Sequence, residues 1–154
     1  MLNDKAKSPA AIDHIRELLN QDRPQDALKF IERLGQKTPV MENARGVCLM
    51  RLGKIDQAVS VLRNLAFQGY ICMPSDTPVL YQLNFAIAML LSNYKDGIIP
   101  LVDKLDTENY PQAAKLKDAI RQWVKSLNFI EKCCCKIGIY PAKPVKIDFP
   151  PGEI

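Results

Sequence analysis

An all-α fold is predicted for this chain of 154 residues. Apolar residues recur every three or four positions along most of its length, as on the buried face of a helix. The eleven prolines and seven glycines mostly fall at the edges of those runs, where helices start and stop. No alternating pair of segments flanks a tight turn, so no β-hairpin is expected. The first six periodic segments form three pairs spaced about 30–40 residues apart, which is the period of a helical repeat.

The elements follow in order. SPAAIDHIRELLNQD carries Ser8 as a predicted N-cap and Pro9 at the first helical position, where a missing N–H costs nothing. Its apolar residues Ile12, Ile15, Leu18 and Leu19 share one face. Pro24 opens a second helix with Ala27, Leu28, Ile31 and Leu34 as its stripe and Gly35 near its end. Thr38-Pro39 opens a third, stopping at Gly53, and a fourth runs from about Lys54 to Gly69. GYICMPSDTP is a loop. Helix five is expected over about 77–92 and helix six over about 95–105, where Pro100 either kinks the helix or marks its first turn. Helix seven is read as one long element from Pro111 to about Cys135, on the stripe Leu116, Ala119/Ile120, Trp123, Leu127, Ile130 and Cys134. The helical domain thus covers 1–135, with pairs at about 9–38, 39–70 and 77–105, and 136–154 is a tail with four prolines.

In the second pair, ARGVCLMRLGKIDQAVSVLRNL, Gly46 leaves room for a neighbouring helix and Gly53 supplies the turn. Ala58 sits where the two helices cross, and Leu49, Leu62 and Leu65 fill the space between them. This pattern of small and large residues resembles the tetratricopeptide repeat. The first pair matches in part through Ala27, Ile31, Leu34 and Pro39, with Ile15 where the family has a small residue. In the third, LNFAIAMLLSNYKDGIIPLVDKL, Ala86 and Gly97 stand as the small positions, eleven apart where the second pair has twelve. The resemblance implies a right-handed superhelix of about three stacked antiparallel pairs over about 9–105, with helix seven as a long C-terminal cap. Lys115, Lys117, Arg121 and Lys125 of that cap would face water.

The resemblance further implies that the first helix of each pair lines a concave groove. Residues facing it are Ile12, Arg16, Leu19 and Asn20, then Val40, Asn43, Val47, Met50 and Arg51. The third pair gives Gln82, Ala86, Met89 and Leu90 in one register, or Leu83, Ile87, Leu90 and Leu91 in the other. Arg16, Asn20, Asn43, Val47, Met50, Arg51, Leu83, Ile87 and Leu90 form the candidate partner-binding set. Such an apolar groove suits an amphipathic helix or an extended peptide, or else the chain's own tail through Ile139, Tyr140, Val145, Ile147 and Phe149. Some family members grip a terminal carboxylate with paired Lys and Asn. Asn20 and Asn43 are present here but the lysines are not, so that activity does not carry over.

Composition bounds the function. Hydrophobic content of 47% and charged content of 25% are those of a soluble globular domain. The net charge of +4 is uneven: 71–109 hold two Lys against five acids, 110–154 eight Lys/Arg against four. That asymmetry lacks the dense basic face of a nucleic-acid binder, so no nucleic acid is expected. The polar start MLNDKAKSPAAID predicts no signal peptide, and the apolar run FAIAMLL is far short of a bilayer span, so no membrane insertion is expected. Five cysteines, Cys48, Cys72 and Cys133–Cys135, are read as reduced thiols, which points to the cytoplasm.

No catalytic, metal or cofactor motif emerges. His14 is the single histidine, Cys133–Cys135 lack C-x-x-C spacing, and no glycine-rich phosphate loop is present. Cys134 is expected to be buried in the stripe of helix seven. The reading is therefore a non-catalytic interaction scaffold, adaptor or small chaperone that holds a protein or peptide partner. Three repeats in so short a chain resemble the small chaperones of bacterial type III secretion. The alternatives are a homodimer paired through helix seven and the tail, and a thiol enzyme using the cysteine cluster.

Overall fold

The computed structural model describes residues 7–154, and among them every regular element is a helix. Eight are present: α1 (Lys7–Asn20), α2 (Pro24–Leu34), α3 (Pro39–Arg51), α4 (Ile55–Phe67), α5 (Val79–Leu91), α6 (Ile98–Lys104), α7 (Pro111–Lys125) and α8 (Phe129–Lys136). Residues 1–6, the first part of the polar start read as lacking a signal peptide, lie outside the described residues. Ser8 belongs to α1 rather than preceding it, so it is not the N-cap that the sequence predicts. No described helix is long and apolar enough to cross a membrane.

From α1 to α7 each helix packs against the next, and α1, α3 and α5 also touch one another in sequence. Local chemistry sets the boundaries. Pro24, Pro39 and Pro111 each open a helix, and the Thr38 hydroxyl accepts the Met41 N–H at 3.3 Å. Pro100 lies in the first turn of α6, where it breaks no hydrogen bond.

One close helix contact lies between α3 and α4. A Cβ added at Gly46 would stand 2.5 Å from Leu62 Cγ, so the absent side chain lets Leu62 seat on the α3 backbone. Ala58, also on α4, is fully buried. Gly97 behaves differently. It has a φ of 71° and nothing near its missing Cβ, so it is the left-handed residue ahead of α6, not a small residue at a crossing. The buried residue twelve after Ala86 is Ile98, just as Ala58 follows Gly46 by twelve and Ala27 follows Ile15 by twelve.

The expected long helix seven is two helices. The Ser126 hydroxyl donates to Trp123 O at 2.7 Å, and Asn128 starts α8 with a reciprocal capping box. The Asn128 side chain accepts the Glu131 N–H at 2.8 Å and the Glu131 carboxylate accepts the Asn128 N–H at 2.9 Å. The stripe is buried at Leu116, Ile120, Trp123 and Leu127, but Ile130 is 73% exposed and Cys134 only half-buried. Cys135, not Cys134, packs against the core. Lys115, Arg121 and Lys125 are exposed, whereas the Lys117 ammonium donates to the carbonyls of Asp103 and Leu105 at the end of α6.

Residues 137–154 follow without helix or strand and cross back over the bundle. Asn93 Nδ2 donates to Ala142 O and Trp123 Nε1 to Lys143 O, both at 2.8 Å. Val145 is buried, and Tyr140, Ile147, Phe149 and Ile154 pack on the core, while Ile139 stays exposed.

The Gly46–Leu62 contact yields a sign reversal. Gly46→Ala is expected to lower stability by about 1 kcal/mol or more, because overpacking outweighs the helix-propensity gain. In a Leu62→Ala background the same change should stabilise, since the methyl then enters vacated space. Urea unfolding of the four proteins checks this, and a loss of similar size in both backgrounds would contradict it.

Candidate functional site

The returning tail ends in a groove built by α1, α3, α5 and α7. There a main-chain oxygen of every residue from Pro150 to Ile154 accepts a hydrogen bond from a helix side chain. Gln112 Nε2 donates to Pro150 O at 3.2 Å. Arg51 spans the next two, with Nε 3.3 Å from Pro151 O and Nη2 3.1 Å from Gly152 O, while its Nη1 donates to Leu19 O at 2.9 Å. Arg16 Nη2 donates to Ile154 O at 3.1 Å, its other edge held by the Asp13 carboxylate at 2.7 Å.

Glu153 is held most fully. Its N–H donates to Asn84 Oδ1 at 3.1 Å, and its carbonyl accepts from Asn84 Nδ2 at 2.8 Å and from Asn43 Nδ2 at 3.1 Å. Asn84 Nδ2 also donates to Asn43 Oδ1 at 2.8 Å, tying α3 to α5. Asn43 is 1% exposed and Asn84 0%, so these amides work in a water-poor setting where an unmade bond is costly. An amide that offers its oxygen to the N–H and its nitrogen to the C=O of one residue imitates a strand neighbour for a segment that has none.

Gly152 is specified twice. Its φ of 83° lies in the left-handed region, which other residues reach only at a cost. An added Cβ would also stand 2.7 Å from Met50 Cε and 2.8 Å from Val47 Cγ2.

Of the residues predicted to face a groove, Arg16, Asn43, Val47, Met50 and Arg51 meet at this segment. Asn20 is exposed and takes no part. Leu83, Ile87 and Leu90 are buried at 1% exposure or less, on a helix that is apolar on nearly every side and packs against α3, α4 and α6. The residue of α5 that reaches the groove is Asn84, which neither sequence register includes, and α7 adds Gln112. Asn84 is the polar residue inside VLYQLNFAIAMLL least able to face water, and that incongruity was the signal available.

Elsewhere, an apolar hollow of about 550 Å³ lies between α4, α5 and α6, where Phe67 and Phe85 meet edge to face. His14 is exposed, with its ring edge-on to Phe30 at 4.8 Å. Cys48 lies buried in α3, and burial pushes its thiol up to about 12, which keeps it protonated and unreactive at neutral pH. Among the described residues, no three His, Cys, Asp or Glu side chains converge as metal ligands would. No protein-family model, no curated protein and no solved structure matches this chain.

Asn84→Ala is expected to cost about 1–3 kcal/mol, since it strands the Asn43 amide and the Glu153 peptide unit. Asn20→Ala, at an exposed position, should stay within about 0.5 kcal/mol. Denaturant midpoints compare the two, and equal effects would contradict the assignment.

Proposed function

We propose that this protein is a non-catalytic interaction module, an adaptor or small chaperone, whose α1–α3–α5 groove holds an extended segment of a partner protein. The observation that carries this reading is the unbroken line of side-chain donors to the main-chain oxygens of 150–154. Such a groove grips main chain, as peptide-binding sites that extend a sheet do, and so accepts an extended peptide rather than a helix. Its polar groups are two arginines and three amides, which donate well to carbonyls and are poor nucleophiles or proton carriers near neutral pH.

In this reading the helices form three tetratricopeptide-like pairs stacked in a right-handed superhelix. The buried positions Ile15/Ala27, Gly46/Ala58 and Ala86/Ile98, twelve apart in each pair, support it, as does the succession α1, α3, α5 along one side. The five unpaired thiols, two of them exposed, suit a reducing compartment such as the cytoplasm. A second reading, self-assembly through α8, is favoured by Phe129 at 81% exposure beside exposed Ile130, Ile137 and Ile139.

Affinity capture from the native cell extract tests the groove, using wild type, Gly152→Val and Gly152→Val/Arg51→Glu, each checked for helicity. Expelling the tail with Gly152→Val should raise the yield of a retained protein several-fold, and adding Arg51→Glu should remove it. A yield indifferent to both changes would contradict the groove reading, and a wild type that sediments as a monomer at every concentration would remove self-assembly.

A further inference from the structure

The groove's contacts also state which segment it takes. Building on the reading above, we propose that it is selective for an extended partner peptide of the pattern Pro-Pro-Gly-X-apolar, and that residues 150–154 are a built-in competitor for that peptide.

Each position of the pattern follows from an observation. At the third, the peptide backbone is left-handed and pressed against Met50 and Val47, so only glycine fits. At the fourth, the N–H is donated to Asn84 Oδ1, so proline is barred, whereas the Glu153 side chain receives no hydrogen bond from the described residues and any other residue serves. At the fifth, Ile154 packs on the core while Arg16 holds its main-chain oxygen, which favours an apolar side chain. At the first two, only the carbonyls of Pro150 and Pro151 are read. Proline therefore loses nothing there, and its fixed φ holds the segment extended before it binds.

The tail occupies the site by tethering rather than by a tighter fit. A segment joined through a short linker presents itself at roughly millimolar effective concentration. A free peptide that binds the open groove in the micromolar range therefore meets a competitor that weakens it by about ten-fold or more. A partner gains entry by matching the pattern and adding contacts beyond it.

The test uses the full chain and a fluorescent peptide of sequence KIDFPPGEI, followed by anisotropy. In Gly152→Val the new side chain meets both Val47 and Met50 and the tail is expelled. This variant should bind the peptide at least ten-fold more tightly than wild type does. Replacing the peptide's glycine by valine, or its glutamate by proline, should each lower affinity ten-fold or more. Replacing that same Glu by alanine should change it less than two-fold. Should Gly152→Val fail to fold by circular dichroism, Glu153→Pro expels the tail instead, by removing the N–H that Asn84 reads.

Equal binding of the glycine and valine peptides would overturn the pattern, as would a folded, opened variant that binds neither. If capture by Gly152→Val succeeds while the peptide fails, the pattern falls and the interaction module stands. If both fail, the module falls too. A wild-type dimer that excess peptide splits would assign the groove to the segment of a second copy and overturn the partner assignment.

Discussion

Two buried amides govern the groove. Asn43 and Asn84 lie on neighbouring helices with almost no exposure, and each has more hydrogen-bonding capacity than the other can satisfy. A buried amide left without partners costs about 1–3 kcal/mol. The Glu153 peptide unit supplies what is missing, with one donor and one acceptor aimed at the pair. The groove is therefore shaped for main chain, and an empty, dry groove is its least stable state.

That pair can form only because the helices sit close and in register. Leu62 seats directly on the bare backbone of Gly46, which fixes α4 against α3. With α5 packed against both, Asn84 comes to face Asn43. Arg51, at the end of α3, is half-buried and spends its three donor positions on Leu19, Pro151 and Gly152, thereby joining the α1 end to the tail. Burial lowers its affinity for a proton, and the row of carbonyl oxygens faces the retained charge. Core packing and segment binding thus share the same residues, so stability and recognition are coupled.

Much of this is legible in the sequence, and the lapses have physical causes. Helical period and flanking prolines give the first six helices to within about three residues at either end, and the starts at Pro24 and Pro39 to the residue. On α3, reading every third or fourth residue from Asn43 finds Val47, Met50 and Arg51. On α5 the same procedure fails. VLYQLNFAIAMLL is apolar all round, so periodicity selects no face and the lone buried amide at Asn84 carries the information. The break between α7 and α8 is missed because the apolar stripe continues through it, while Asn128 and Glu131 announce a new helix start that outweighs the stripe. The tail's final position depends on contacts more than a hundred residues apart in sequence for Arg16, Asn43 and Arg51, which no local pattern encodes.

The most direct measurement is a nuclear Overhauser experiment on the full chain with labelled methyl groups. Cross-peaks from the Gly152 α-protons to the Met50 ε-methyl and Val47 γ-methyls, with a slowly exchanging Glu153 amide, are the expected result. Random-coil shifts over 150–154 with no such cross-peaks would contradict the account, because the buried asparagines would then lack the segment that satisfies them.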